Sequence, residues 1–178
     1  MSFSFSKAAK GLVAGGVAVM IAANGFAAND GIIGATSTGD LDITLTILDE
    51  VRISNLADIT LGTFVGADLS GNSPACVYRS GTGNYQITAD GSGALGAFTL
   101  TDGANTVPYT VNYDDGAGSL PLASGVPLPG QTGGDQGSDT CANTGNNGSI
   151  DVNVLAANMT ALPAGAYAGT LTLTVAPE

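Results

Sequence analysis

Hydrophobic and polar residues alternate with a period of two along most of this chain, the repeat of a half-buried β-strand rather than of a helix. The purest instance is Leu41-Asp-Ile-Thr-Leu-Thr-Ile47, in which Leu41, Ile43, Leu45 and Ile47 share one face. Asp42, Thr44 and Thr46 share the other. Such a strand needs a hydrophobic surface to lie on, because a fully apolar face left in water forfeits its burial energy.

Further strands are expected over 51–56 and 59–65, and over 76–79 and 85–89 on either side of Ser80-Gly-Thr-Gly83. The runs 97–101 and 106–113 flank Asp102-Gly103, a hairpin turn pair, and Pro108 marks an edge or a bulge within the second. Prolines at 121, 127 and 129 keep any strand in 120–128 short, and 130–148 is a long Gly/Asn/Asp/Thr loop. Alternation resumes through Ile150, Val152 and Val154, 156–162 accommodates one helical turn, and Leu171, Leu173 and Val175 alternate with threonines at the end. Short strands about 8–12 residues apart with turn signals between them predict an all-β, immunoglobulin-like sandwich with Greek-key connections.

The N-terminus sets the compartment. Lys7 and Lys10 precede an apolar run from Gly11 to Ala23, followed by small residues at Gly25, Ala27 and Ala28. The run is shorter than the ~18–20 apolar residues that span a bilayer. It reads as a secretory signal peptide over 1–27, cleaved after Ala27 or Ala28. A polar, Gly-rich leader over 28–39 is expected to be flexible. Residues 40–178 then form one domain, with the amphipathic strand 40–48 at its start.

Processing sharpens the charge. Both lysines leave with the signal, so Arg52 and Arg79 face 15 carboxylates, a formal charge of −13. That surface repels nucleic acid and anionic headgroups, so neither nucleic-acid nor peripheral membrane binding is expected. Histidine is absent, which excludes His-based triads and imidazole metal sites, and the mature chain has no lysine for Schiff-base or isopeptide chemistry.

No catalytic constellation emerges, and the chain reads as a non-enzyme without a cofactor. Asp114-Asp115-Gly116 is the tightest carboxylate cluster, but adjacent turn residues point apart and suit a solvated turn better than an acid–base pair. Asp135, Asp139 and Asn143, or Asp40 and Asp42, offer oxygens for calcium without EF-hand spacing. The glycines at 91–93 and 130–134 lack a P-loop lysine. Tyr78, Tyr85, Tyr109 and Tyr113 suit core and sheet-surface positions, and the sequons at Asn147 and Asn158 are accidental matches. Cys76 and Cys141, an even count in an oxidising compartment, predict one disulfide; a redox pair would want CxxC spacing.

The amphipathic strand near the mature N-terminus and the alternating strand at the C-terminus admit two readings. Both can pair within one complete sandwich, giving a self-sufficient secreted domain that binds calcium or glycan at the cell surface. Alternatively the sandwich is incomplete, and the N-terminal strand of one copy fills a groove in the next by β-augmentation.

The second reading gains from a likeness. Leu41–Ile47 followed by Val51-Arg-Ile-Ser-Asn-Leu56, and the ending Pro163-Ala-Gly-Ala-Tyr-Ala-Gly-Thr-Leu-Thr-Leu-Thr-Val-Ala-Pro177, resemble pilus subunits of chaperone–usher systems. The alternate (colonisation-factor type) and archaic (spore-coat-U-like) branches are the most similar. The resemblance implies a structural subunit of a surface fimbria used in adhesion or biofilm formation. Its partners would be like subunits, a periplasmic chaperone and an outer-membrane usher. Leu41, Ile43, Leu45 and Ile47 match the donor strand, while Leu171, Leu173 and Val175 match the final strand bordering the acceptor groove. The chain departs from the best-known branch in ending Pro177-Glu178 rather than with a penultimate tyrosine, and in the late position of Cys141.

Overall fold

The structure is a computed structural model describing residues 28–178, so the signal peptide expected over 1–27 lies outside the described residues. The chain divides after Thr46 into two units. In the first, Asn29 and Asp40 exchange backbone hydrogen bonds of 3.0 Å each, closing a loop around the leader. All residues from 28 to 46 are exposed.

The second unit, Ile47–Glu178, is built from ten strands: β1 (Val51–Ser54), β2 (Leu69–Arg79), β3 (Tyr85–Gly91), β4 (Thr99–Thr101), β5 (Thr106–Pro108), β6 (Thr110–Asp114), β7 (Ser119–Leu122), β8 (Leu128–Gln131), β9 (Gly148–Val154) and β10 (Leu171–Pro177). One sheet runs β1-β2-β9-β6-β7, a second runs β10-β3-β8, and β4-β5 form a small ribbon. Every ladder is antiparallel. This is the expected all-β, immunoglobulin-like sandwich. A single helical turn, α1 (Ala156–Met159), falls where one was anticipated.

Alternation decides which side chains fill the interior. Ile150, Val152 and Val154 of β9, with Val111 and Tyr113 of β6, face inward from the larger sheet. Tyr85, Ile87 and Ala89 of β3 close the core from the smaller one, with Leu171, Leu173 and Val175 of β10 packed against it. Tyr85 and Tyr113 meet at the centre, their hydroxyls 2.5 Å apart.

Burial pushes the Tyr85 phenol up to about 12, although its bond to Tyr113 acts the other way. Burial also raises Tyr113, and the bond to Tyr85 adds to it. The unfolded chain releases these protons near pH 10 while the folded chain keeps them. The stability they contribute is therefore fully present below pH ~10 and falls as pH rises toward ~12. Urea midpoints measured across that range should drop steeply in the wild type and less steeply in Tyr113→Phe; equal slopes would refute the coupling.

Several expected strands differ in extent. Residues 59–65, expected as a strand, belong to no ladder, although Ile59 and Leu61 still alternate in burial. Asn55 turns left-handed at φ 62° and ends β1 early, and Gly62 at φ 83° breaks the extended run beyond Leu61. The segment lies against β2 at Gly71 without forming a ladder with it, so apolar alternation alone does not make a strand here. Conversely, β2 begins seven residues before the strand expected at Cys76, running through a stretch whose Gly66, Gly71 and Pro74 suit a turn. Its first part pairs β9 up to Ala75, and its last part pairs β1 from Cys76 onward. Pro74 thus lies just outside the β1 ladder, where its missing N–H costs nothing on that side. The run 106–113 splits at Tyr109, beside Pro108, as the chain passes from the ribbon to the larger sheet.

Candidate functional site

β10 is the last strand of its sheet, paired to β3 in an unbroken register from Leu171–Gly91 to Pro177–Tyr85. Among the described residues its other edge has no strand partner. Across from that edge runs the unladdered segment 56–61, tied to β2 by Ala57 N–H donating to Ser73 Oγ at 2.8 Å. Ile59 packs over Gly71 so closely that a Cβ there would sit 2.6 Å from its Cγ2.

Between the two lies an open cleft of about 360 Å³. Leu56, Ile59 and Leu61 form one wall and Leu171 and Leu173 the other, while Ile150, Val152, Leu100 and Tyr109 form the floor. The core is therefore visible from outside along one seam. A missing strand would leave such a seam: apolar side chains below and an unpaired main-chain edge beside them.

The four apolar residues of Leu41–Ile47 are exposed: Leu41 69 %, Ile43 88 %, Leu45 83 % and Ile47 79 %. No ladder among the described residues includes them. Seven extended residues span about 23 Å at ~3.3 Å each, and β10 is also seven residues long.

The other candidates are occupied by structural work. The Asp135 carboxylate takes hydrogen bonds from Thr144 Oγ1, Gly137 N–H and Ser138 N–H, which hold it below the usual carboxylate range. Asp139 pairs with Arg52. Among the described residues no cluster of three or more acidic or Cys side chains is placed to hold a metal. Asp115, expected in a solvated turn, is instead buried at 9 % exposure. Burial would raise its pKa, but hydrogen bonds from Thr132 N–H and Ala117 N–H outweigh this and lower it. Asp114 and Asp115 each organise the turn rather than converge on a substrate. Cys76 and Cys141 form the expected disulfide, with Cα atoms 5.8 Å apart, and both are buried beyond easy thiol exchange. Asn147 of the first sequon has its amide committed to Val77 O and Gly133 O.

Two groups had no clear signal in the sequence. Arg79 is buried, and Asn147 acts as a piece of sheet. Only the scarcity of cations beyond residue 27 set Arg79 apart beforehand.

No family model and no curated protein matches this chain. Among solved structures, a chain from a chaperone–tip adhesin complex, described as vital for synergistic activation of CFA/I fimbriae biogenesis, superimposes with a TM-score of 0.50. The two are 17 % identical over 73 % of this chain, and the match spans 41 % of the length of that one. The likeness is one of fold. Nothing in the comparisons separates the spore-coat-U-like branch from the others. Among the described residues no helix is long and apolar enough to cross a membrane.

Proposed function

We propose that this chain is a non-enzymatic structural subunit of a surface fimbria, polymerised by donor-strand exchange. The observation that carries this reading is the pairing of opposites in one chain: four exposed apolar residues alternating along 41–47 and an open apolar groove beside β10. In a fibre, Leu41, Ile43, Leu45 and Ile47 of one copy enter the groove of the next and hydrogen-bond along β10. Four such side chains at ~1.5–3 kcal/mol each supply a strong non-covalent joint. Before assembly the same β10 edge is where a periplasmic chaperone would pair, with Leu171, Leu173 and Val175 beneath it, and an outer-membrane usher would order the exchange. Export to the cell surface, and a part in adhesion or biofilm formation, belong to that mode of assembly.

The test is size-exclusion chromatography with light scattering on the mature chain. Wild type should form polymers, and the double variant Ile43→Asp/Leu45→Asp should remain a folded monomer that binds a synthetic 40–48 peptide. A wild-type monomer that unfolds when 41–47 is deleted would mean the strand is internal. The self-sufficient calcium- or glycan-binding sandwich would then take its place.

A further inference from the structure

Two arginines lie outside 1–27, and the fold treats them oppositely. Arg52 is half exposed at the surface, paired with Asp139. Arg79 has 3 % of its side chain exposed. Burying a guanidinium is costly unless its hydrogen bonds are met, so its partners are informative.

Those partners lie at the two ends of the proposed joint. Nε and Nη2 of Arg79 donate to Asp49, at 3.1 and 2.5 Å. Asp49 stands two residues after Ile47, at the root of the donor strand. Nη2 also donates to the backbone carbonyl of Glu178 at 3.0 Å, directly after β10. A Cβ on Gly83 would sit 2.7 Å from the same nitrogen, so glycine there leaves room for the side chain. Ser80 completes the anchorage: its Oγ donates to Leu48 O at 3.1 Å and accepts from Glu50 N–H at 2.7 Å.

The mechanical consequence comes from strand geometry. β1 is a four-residue edge strand beginning at Val51. Tension on residue 47 alone would peel β1 from β2 one hydrogen bond at a time, the weakest way to load a ladder. The Asp49 bond stops the peel before it starts. Because Arg79 belongs to β2 and Glu178 follows β10, force entering at the root is shared between both sheets. It reaches β10, the strand that borders this subunit's own groove, into which a neighbour's donor strand inserts.

We propose that Arg79 is the force-transmitting link of the fibre, joining the root of each outgoing donor strand to the strand that holds the incoming one. The proposal rests on the donor-strand reading and adds a residue-level path for tension.

Fibres of the mature chain are held at constant force, wild type against Arg79→Met, with Asp49→Asn as a second variant that keeps the arginine. Arg52→Met serves as a control for loss of a cation. Peptide 40–48 binding is measured separately on the Ile43→Asp/Leu45→Asp monomer, with and without Arg79→Met. Subunit opening should accelerate about tenfold or more in both variants, as for loss of a charge-assisted link that resists the rate-limiting step. It should not change in Arg52→Met, and peptide affinity should stay within about twofold, the size of a surface effect. Unchanged opening rates would overturn the proposal, and so would a matching loss of peptide affinity, which would make Arg79 a support of the groove itself. A wild type that forms no fibres would bring down the donor-strand reading first, and this link with it, before any variant is examined.

Discussion

Replacing Cys76 and Cys141 together by alanine should lower the free energy of unfolding by about 4 kcal/mol. The bridge joins residues 65 apart in sequence, so its removal returns a large loop-closure entropy to the unfolded chain. For a chain of this size each kcal/mol shifts the midpoint by roughly 2–4 °C, so thermal unfolding should occur about 8–16 °C lower. The denaturant slope m should rise as well, because the reduced chain expands further on unfolding. Both ends of the bridge are buried, so alanine leaves no polar group stranded. Urea titration of the double variant reports both quantities. A loss below about 1 kcal/mol, the worth of a single ordinary hydrogen bond, would show that the 132–147 excursion is held in place without its covalent tether.

The second large effect concerns that same excursion. β9 ends its ladder at Gly148, opposite Ala75, two residues short of Val77. There the Asn147 side chain takes over: Oδ1 accepts from Val77 N–H at 2.8 Å and Nδ2 donates to Val77 O at 2.8 Å. The same Nδ2 donates to Gly133 O at 2.6 Å. The carboxamide thus stands in for a strand residue against a position that is fully buried. Val77 O keeps a second donor in Asp135 N–H, whereas Val77 N–H depends on Asn147.

Asn147→Ala should therefore cost about 2–4 kcal/mol, chiefly from the stranded N–H and the Gly133 carbonyl. Asn147→Asp should cost more at neutral pH, because it sets a carboxylate against two carbonyl oxygens. Repulsion and burial raise that new group's folded pKa above the unfolded ~3.9. Its deficit should accordingly shrink as pH falls and the acid becomes a donor again. Parallel urea curves at pH 4.5 and 7.5 test this. A deficit for Asn147→Asp that is flat with pH, or smaller than that of alanine, would rule the stand-in role out.

How far the sequence foretold the fold depends on whether a feature is local. The period-two pattern of Leu41–Ile47 is visible along the chain without a partner, although these residues join no ladder among the described residues. The inward sets Ile150/Val152/Val154 and Leu171/Leu173/Val175 were legible for the same reason, and the helical turn at 156–159 through its break in alternation. The segment 59–65 carried the same pattern yet has no ladder, because a strand also requires backbone hydrogen bonds to a neighbour, and here the contact with β2 runs through Ile59 and Leu61 side chains over Gly71. Leu69–Ser73 was hidden by the opposite effect. Its glycine and the following Pro74 suit a turn, while β9 supplied the pairing that held it extended. Asp115 looked like a solvated turn residue because burial depends on what packs over a residue, in this case Thr132 from a distant loop.

By itself, then, the sequence determined the all-β class, the single bridge between its only two cysteines, and the alternating apolar residues along 41–47. Tertiary structure decided the open seam between 56–61 and β10, the burial of one arginine and not the other, and the use of Asn147 as a substitute strand. The physical reason is that alternation and cysteine count are written along the chain. A groove, a buried charge and a borrowed hydrogen bond exist only between segments far apart in it, such as Asp49, Arg79 and Glu178.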